Sequence, residues 1–134
     1  MTRTYLMIKP EAVRANVFPE ILRLVVANRF SVERLEMRHI TSDVARRFYA
    51  EHDGKSFFAD LVRYITSGPV LAVQLAAEEA VPRLRELVGK TNPKDATPGT
   101  LRYMFGTSLQ ENAVHASDSP ASAARELGII FPSD

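Results

Sequence analysis

The sequence predicts an α+β domain in which four strands form an antiparallel sheet with helices packed on one face. Three observations carry that prediction. Strand-length apolar runs are interleaved with segments of helical spacing, in the order β-α-β-α-α-β-α-loop-β-α. Two of the connections between strands are helical crossovers, as a split βαβ sandwich requires. A length of 134 residues with 46% hydrophobic and 25% charged side chains fits one domain, 1–134, with a core of its own.

Each element has its own signal. Tyr5-Leu6-Met7-Ile8 is apolar on both faces of an extended chain, as in a strand inside a sheet, and it stops at Lys9-Pro10. From Pro19, a residue suited to a first helical turn, Ile21, Leu22, Leu24, Val25 and Val26 recur at helical spacing up to Arg29. Phe30 to Ile40 reads as a strand of mixed polarity. Thr41-Ser42-Asp43 offers caps for a helix carrying Val44, Phe48 and Tyr49, and Phe57 to Ile65 has the spacing of another. Ser67-Gly68-Pro69 breaks the chain before a strand from Val70 to Leu75. Val81, Leu84, Leu87 and Val88 mark a helix that Gly89 closes as a left-handed cap. Thr91 to Thr100 reads as a loop without regular structure, longer than most connections and so a candidate binding loop. Ala113-Val114-His115 is a short last strand, and Ser119-Pro120 caps and opens a final helix through Leu127. The apolar tail Ile129-Ile130-Phe131, before Pro132-Ser133-Asp134, needs cover from a neighbour or from its own sheet.

Composition narrows the function. No apolar run approaches the roughly 20 residues of a membrane span, and the N-terminus leads into a strand without a secretion signal, so no membrane partner is expected. The absence of cysteine excludes disulfide and thiolate chemistry and fits a reducing cytoplasm. A net charge of +1 argues against a nucleic-acid field, so anion binding must come from a local cluster.

His115 is the leading candidate for chemistry. Imidazole is the one side chain whose ordinary pKa lies near neutrality, so an oriented His can attack phosphorus without a second base. Its neighbours in Asn112-Ala113-Val114-His115-Ala116-Ser117-Asp118-Ser119 are small or hydrogen-bonding and suit that orienting role. Lys9, Arg85 and Arg102 fall near element ends or in loops, and one Lys with two Arg suits a polyphosphate better than a carboxylate. Taken singly, each has a plainer reading: a core histidine, or solvated surface cations. Tyr49 and Phe57 read equally well as core residues of a helix pair, His39 as a surface residue and Asp118 as a side chain closing a turn.

Five blocks decide between these readings. Lys9-Pro10, Tyr49-Ala50-Glu51-His52, Tyr64-Ile65-Thr66-Ser67-Gly68-Pro69-Val70, Pro98-Gly99-Thr100-Leu101-Arg102 and the stretch from Asn112 to Ser119 together resemble the nucleoside diphosphate kinase family, from about Thr4 to Phe131. The resemblance implies a ferredoxin-like βαββαβ sandwich and a phosphotransferase. In it His115 takes the γ-phosphoryl group of a nucleoside triphosphate and passes it to a nucleoside diphosphate by ping-pong covalent catalysis. It further implies that Glu126 holds the far ring nitrogen of His115 with support from Ser117. Lys9, Tyr49, Arg85, Thr91, Arg102 and Asn112 would surround the nucleotide's phosphates and sugar, and Phe57 and Leu109 would sandwich the base; His52, at a helix end, reads by its position as no more than support for the phosphate-facing wall. Mg²⁺ would be held mainly by the nucleotide's phosphates, with no dedicated protein ligands. The resemblance also implies a homo-oligomer, tetramer or hexamer, built through sheet edges and the long loop.

The chain departs from the family's pattern in several places. Ala116 stands where Gly is usual, and its methyl would strain the site if φ there were positive. Ala12 and Pro19 also replace glycines, Tyr103-Met104 replaces a small-acidic pair, Glu111 stands where a basic residue is common, and Ala121 replaces an acidic residue near the metal's water shell. These departures define the alternative function, a catalytically weakened nucleotide-binding or regulatory member. A more distant one is an interaction protein acting through its surface alone.

Overall fold

A computed structural model describes residues 1–132. Its elements are β1 (Thr2–Ile8), α1 (Pro10–Arg14), α2 (Phe18–Ala27), β2 (Ser31–Arg38), α3 (Ser42–Phe48), α4 (Phe58–Ile65), β3 (Val70–Ala77), α5 (Ala80–Val88), α6 (Leu101–Phe105), β4 (Val114–Ala116) and α7 (Pro120–Ile130). Single 3₁₀ turns occupy Ala50–His52 and Pro93–Asp95. The strand order is β2-β3-β1-β4 and all neighbours are antiparallel, the ferredoxin-like arrangement that the resemblance implies.

One expectation fails: helices cover both faces of the sheet. Leu6 and Ile8 face one layer with Leu71, Val73 and Leu75, under Ile21 and Val25 of α2 and Leu84 and Val88 of α5. Tyr5 and Met7 face the other with Val70 and Ala72, under Phe48 of α3, Val62 and Ile65 of α4 and Ile130 of α7. This is why β1 is apolar at every position from Tyr5 to Ile8: alternate side chains enter two different cores. The tail settles on its own sheet, with Phe131 packed edge-on against Tyr5 and flanked by the guanidinia of Arg34 and Arg38. Ser133 and Asp134, the end of that predicted tail and of the 1–134 domain, lie outside the described residues.

Local capping follows the sequence. The Thr41 hydroxyl accepts the N–H of Val44, and that of Ser119 accepts the N–H of Ser122, each satisfying an orphan donor of the helix it opens. Gly89 departs from expectation. With φ 90° and ψ 179° it is not a left-handed cap but sits in a region open essentially to glycine alone. A Cβ there would also lie 2.6 Å from the Thr100 hydroxyl.

Two consequences fix the functional end of the sheet. β4 lies antiparallel to β1 with His115 opposite Met7, so the imidazole emerges on the face covered by α3 and α7. The chain leaves β1 at Lys9, and Pro10 starts α1 at once, which turns the lysine toward the same end.

Candidate active site

A cavity of about 470 Å³ opens at that end of the sheet. Lys9, Tyr49, Phe57, Arg85, Thr91, Arg102, Leu109, Asn112, His115 and Glu126 all line it, arriving from helices, loops and strands spread over the chain. Ser117 reaches the site only through Glu126.

The histidine is held from behind. Glu126, on the inward face of α7, accepts a hydrogen bond from Nε2 of His115 at 2.8 Å and another from Oγ of Ser117 at 2.7 Å, both on Oε1. Burial works to raise the Glu126 pKa, but the imidazole hydrogen bond and charge, then Ser117 and Arg125, outweigh it and hold the carboxyl below its usual range. A carboxylate on Nε2 fixes the tautomer that leaves a lone pair on Nδ1, and Nδ1 has no protein partner among the described residues. Phe48 packs edge-on against the imidazole, with centroids 5.1 Å apart, and limits its swing.

Three cations converge from different elements. The Lys9 ammonium, 7% exposed, donates to Oδ1 of Asn112 at 2.8 Å and to the Gln110 carbonyl at 3.4 Å. Burial, reinforced by the nearby Arg102 and only partly offset by Glu11, lowers its pKa to about 8. Arg102 spends Nη1 on the Gly89 carbonyl at 3.0 Å and Nη2 on the Val114 carbonyl at 2.9 Å, which spans the cavity's back wall. Burial and then the Arg85 charge bring its pKa down to about 10. Arg85 donates to the Ala116 carbonyl at 3.2 Å and pairs with Asp118 at 2.9 Å. Asp118 therefore does not close a turn on itself; it holds Arg85 at the cavity rim. Among the described residues Lys9 and Arg102 make no ion pair, although both are buried. Buried cations without a counter-charge are costly, and a bound anion is the group that would balance them.

The remaining wall has two characters. Tyr49 is buried against Phe48 yet borders the cavity, and burial with Glu126 close by pushes its phenol upward, so it stays a neutral donor. Phe57 and Leu109 are exposed, at 46% and 61%, so neither is a core residue. His52 lies beside the Phe57 ring at 5.3 Å and does line the wall. His39 is on the surface. The sequence reading missed Leu61, one helical turn beyond Phe57 and findable by that spacing, and Gln110, whose position carries no signal.

The long loop contributes less than expected. Only Thr91 reaches this cavity, where its carbonyl accepts from Asn112 at 2.9 Å. Thr97 to Thr100 instead border a separate, larger opening beyond α5, and Pro93–Asp95 forms a 3₁₀ turn rather than irregular chain.

A family model described as nucleoside diphosphate kinase matches residues 2–134. The chain belongs to the nucleoside diphosphate kinase family. It is 44% identical, over all of its length and 90% of the relative's, to the nucleoside diphosphate kinase of Desulforamulus reducens. Among solved structures it resembles the nucleoside diphosphate kinase of Aquifex aeolicus, with a TM-score of 0.96 and 38% identity over 98% of this chain and 96% of that one. The enzyme of Halobacterium salinarum, solved in complex with CDP, gives a TM-score of 0.95 and 34% identity over 98% and 88% of the two chains. As a member of this family the chain is a phosphotransferase, a nucleoside diphosphate kinase.

The family's usual glycine after the histidine is not needed here. Ala116 lies within β4, paired with Leu6, and its φ is not positive. The backbone strain falls instead on Ala113, three residues earlier, at φ +78°.

Proposed function

We propose that His115 is the phosphate carrier. Nδ1 attacks the γ-phosphorus of a nucleoside triphosphate, the N–P bond forms as the bond to the β,γ-bridging oxygen breaks, and the diphosphate leaves with that electron pair. An incoming nucleoside diphosphate reverses the step. Glu126, kept ionised, stabilises the positive charge that grows on the ring, and Ser117 holds Glu126 in place. Lys9, Arg85 and Arg102 share the charge of the phosphate oxygens, and Asn112, Thr91 and Tyr49 supply neutral hydrogen bonds. Phe57 and Leu109 hold the base by its faces, which any base offers, so the nucleotide range is broad. The observation that carries this reading is the pair of buried cations that make no ion pair among the described residues, beside a histidine whose Nε2 is already taken.

Mg²⁺ fits as a passenger on the nucleotide. Among the described residues no cluster of three or more His, Cys, Asp or Glu forms a protein-only metal site. The metal would take its ligands mainly from the nucleotide's phosphates and from water and would neutralise phosphate charge, while Asp118 at the rim stays paired with Arg85. Ala121, exposed in the first turn of α7, is not among the residues lining the cavity.

The chain assembles as a homo-oligomer through β2 in this reading. β2 is an edge strand, and Val32, Leu35 and Met37 sit on one side of it, 39%, 48% and 50% exposed. An apolar edge of this kind calls for cover, which a second copy of the chain would supply. Tetramer and hexamer both satisfy that requirement. Lacking cysteine and any helix among the described residues long and apolar enough to cross a membrane, the chain suits the cytoplasm.

Initial rates with ATP and a second nucleoside diphosphate test the mechanism. A ping-pong enzyme gives parallel double-reciprocal lines; intersecting lines would mean direct transfer without His115 as carrier. The alternative, a catalytically weakened nucleotide-binding member, is argued from several departures, and the extended backbone at Ala116 removes one of them.

A further inference from the structure

Ala113 is held in a conformation that side-chain-bearing residues avoid. Its φ is +78°, and the N–H of Val114 donates back to the Asn112 carbonyl at 3.0 Å, closing a three-residue turn of the rare positive-φ kind. Such a turn persists only where its surroundings over-determine it.

Those surroundings are few and specific. The Ala113 carbonyl accepts the N–H of Lys9 at 2.8 Å, and the Ala113 N–H donates to Oε2 of Glu11 at 2.9 Å. The other oxygen of Glu11 accepts the Tyr64 hydroxyl. Among the described residues Glu11 makes no ion pair, so its carboxylate is spent on these two donors. Burial, with Glu111 nearby, raises its pKa; the Ala113 N–H and the Lys9 charge oppose that rise.

The turn carries much of the site. Asn112, immediately before it, accepts from the Lys9 ammonium and ties Thr91 and Leu109 through Nδ2. Val114, immediately after it, takes Nη2 of Arg102 on its carbonyl, and His115 follows. A flip at Ala113 would move Asn112 away from Lys9 and shift β4 against β1.

We propose that Glu11 is a positioning residue: through its hydrogen bond to Ala113 it holds the strained turn that seats Asn112 against Lys9 and presents His115 to the cavity. Glu11 touches no substrate in this account, which rests on His115 being the nucleophile.

Glu11→Ala, Glu11→Gln, Ala113→Gly and the double variant Glu11→Ala/Ala113→Gly decide it, read as the rate of His115 phosphorylation by ATP per folded molecule. Glycine adopts φ +78° without strain, so it weakens the need for the anchor. We expect Glu11→Ala to slow phosphorylation at least tenfold in the parent chain and less than threefold in the glycine background. Glu11→Gln, which can still accept from Ala113, should keep at least a third of the parent rate. Equal losses in both backgrounds, or a Glu11→Gln variant as slow as Glu11→Ala, would overturn the proposal. Should the parent chain form no phosphohistidine, the nucleophile is misassigned, and hydrogen exchange at the Ala113 and Val114 amides then judges Glu11 alone. Faster exchange in Glu11→Ala that spares distant sheet amides supports the anchor; unchanged exchange refutes it.

Discussion

Nε2 of His115 and Oε1 of Glu126 are 2.8 Å apart, and the same carboxylate oxygen also accepts from Ser117. One oxygen thus sets both the tautomer and the orientation of the imidazole. Removing the carboxylate in Glu126→Ala should cut the rate of His115 phosphorylation about 10²-fold, within the range for losing a group that orients a catalytic proton or lone pair. Glu126→Gln, which can still accept at one atom, should lose less. Rapid-quench measurement of the phosphoenzyme burst checks both.

Lys9 gives the site a pH dependence. Its pKa in the free protein is about 8, lowered from 10.5, and bound phosphate favours the charged form. Nucleotide affinity should therefore fall as pH rises through about 8, and Lys9→Gln should bind weakly and without that dependence. Stability runs the other way. Between about pH 8 and 10.5 the folded chain binds fewer protons at Lys9 than the unfolded one, so stability rises across that window, and the cost of burying the ammonium is fully present below it. Calorimetric titration with ADP and thermal unfolding, each across pH 7 to 10, separate the two effects.

Ala116→Gly should leave turnover within about twofold and lower stability by about 0.5–1 kcal/mol, the usual cost of glycine in a strand. The extended backbone at Ala116 is the reason: the methyl is 1% exposed and packed, not strained. A large gain in turnover would contradict this description of β4.

Phe57→Ala should raise KM for nucleotides roughly tenfold, since stacking contributes about 1–3 kcal/mol per base. The increase should be similar for purine and pyrimidine nucleotides, because no base edge is read. Steady-state kinetics with ATP, GTP, CTP and UTP compares them.

How much of this was legible in the chain follows physical lines. Long amphipathic elements announced themselves: Val81, Leu84 and Val88 place α5, and Thr41 and Ser119 cap their helices as their residue types predict. The short helices α1 and α6 did not, because five residues hold too little periodicity to separate a helix from a turn. The two-faced apolarity of β1 was visible, yet a one-sided sheet was the reading drawn from the element order. The cavity-lining cations were legible mainly as a family pattern, since nothing local distinguishes Arg85 or Arg102 from surface cations. Glu11 and Ala113 were missed because a positive φ at alanine has no signature in its own residue type; it is imposed by partners distant in sequence.

The most direct test of the account is to trap the covalent intermediate. Purified chain incubated with γ-labelled ATP and Mg²⁺ should acquire an acid-labile, base-stable label that a second nucleoside diphosphate removes and that His115→Ala abolishes. Nucleotide binding without any such label, or a label that survives His115→Ala, would contradict His115 as the phosphate carrier.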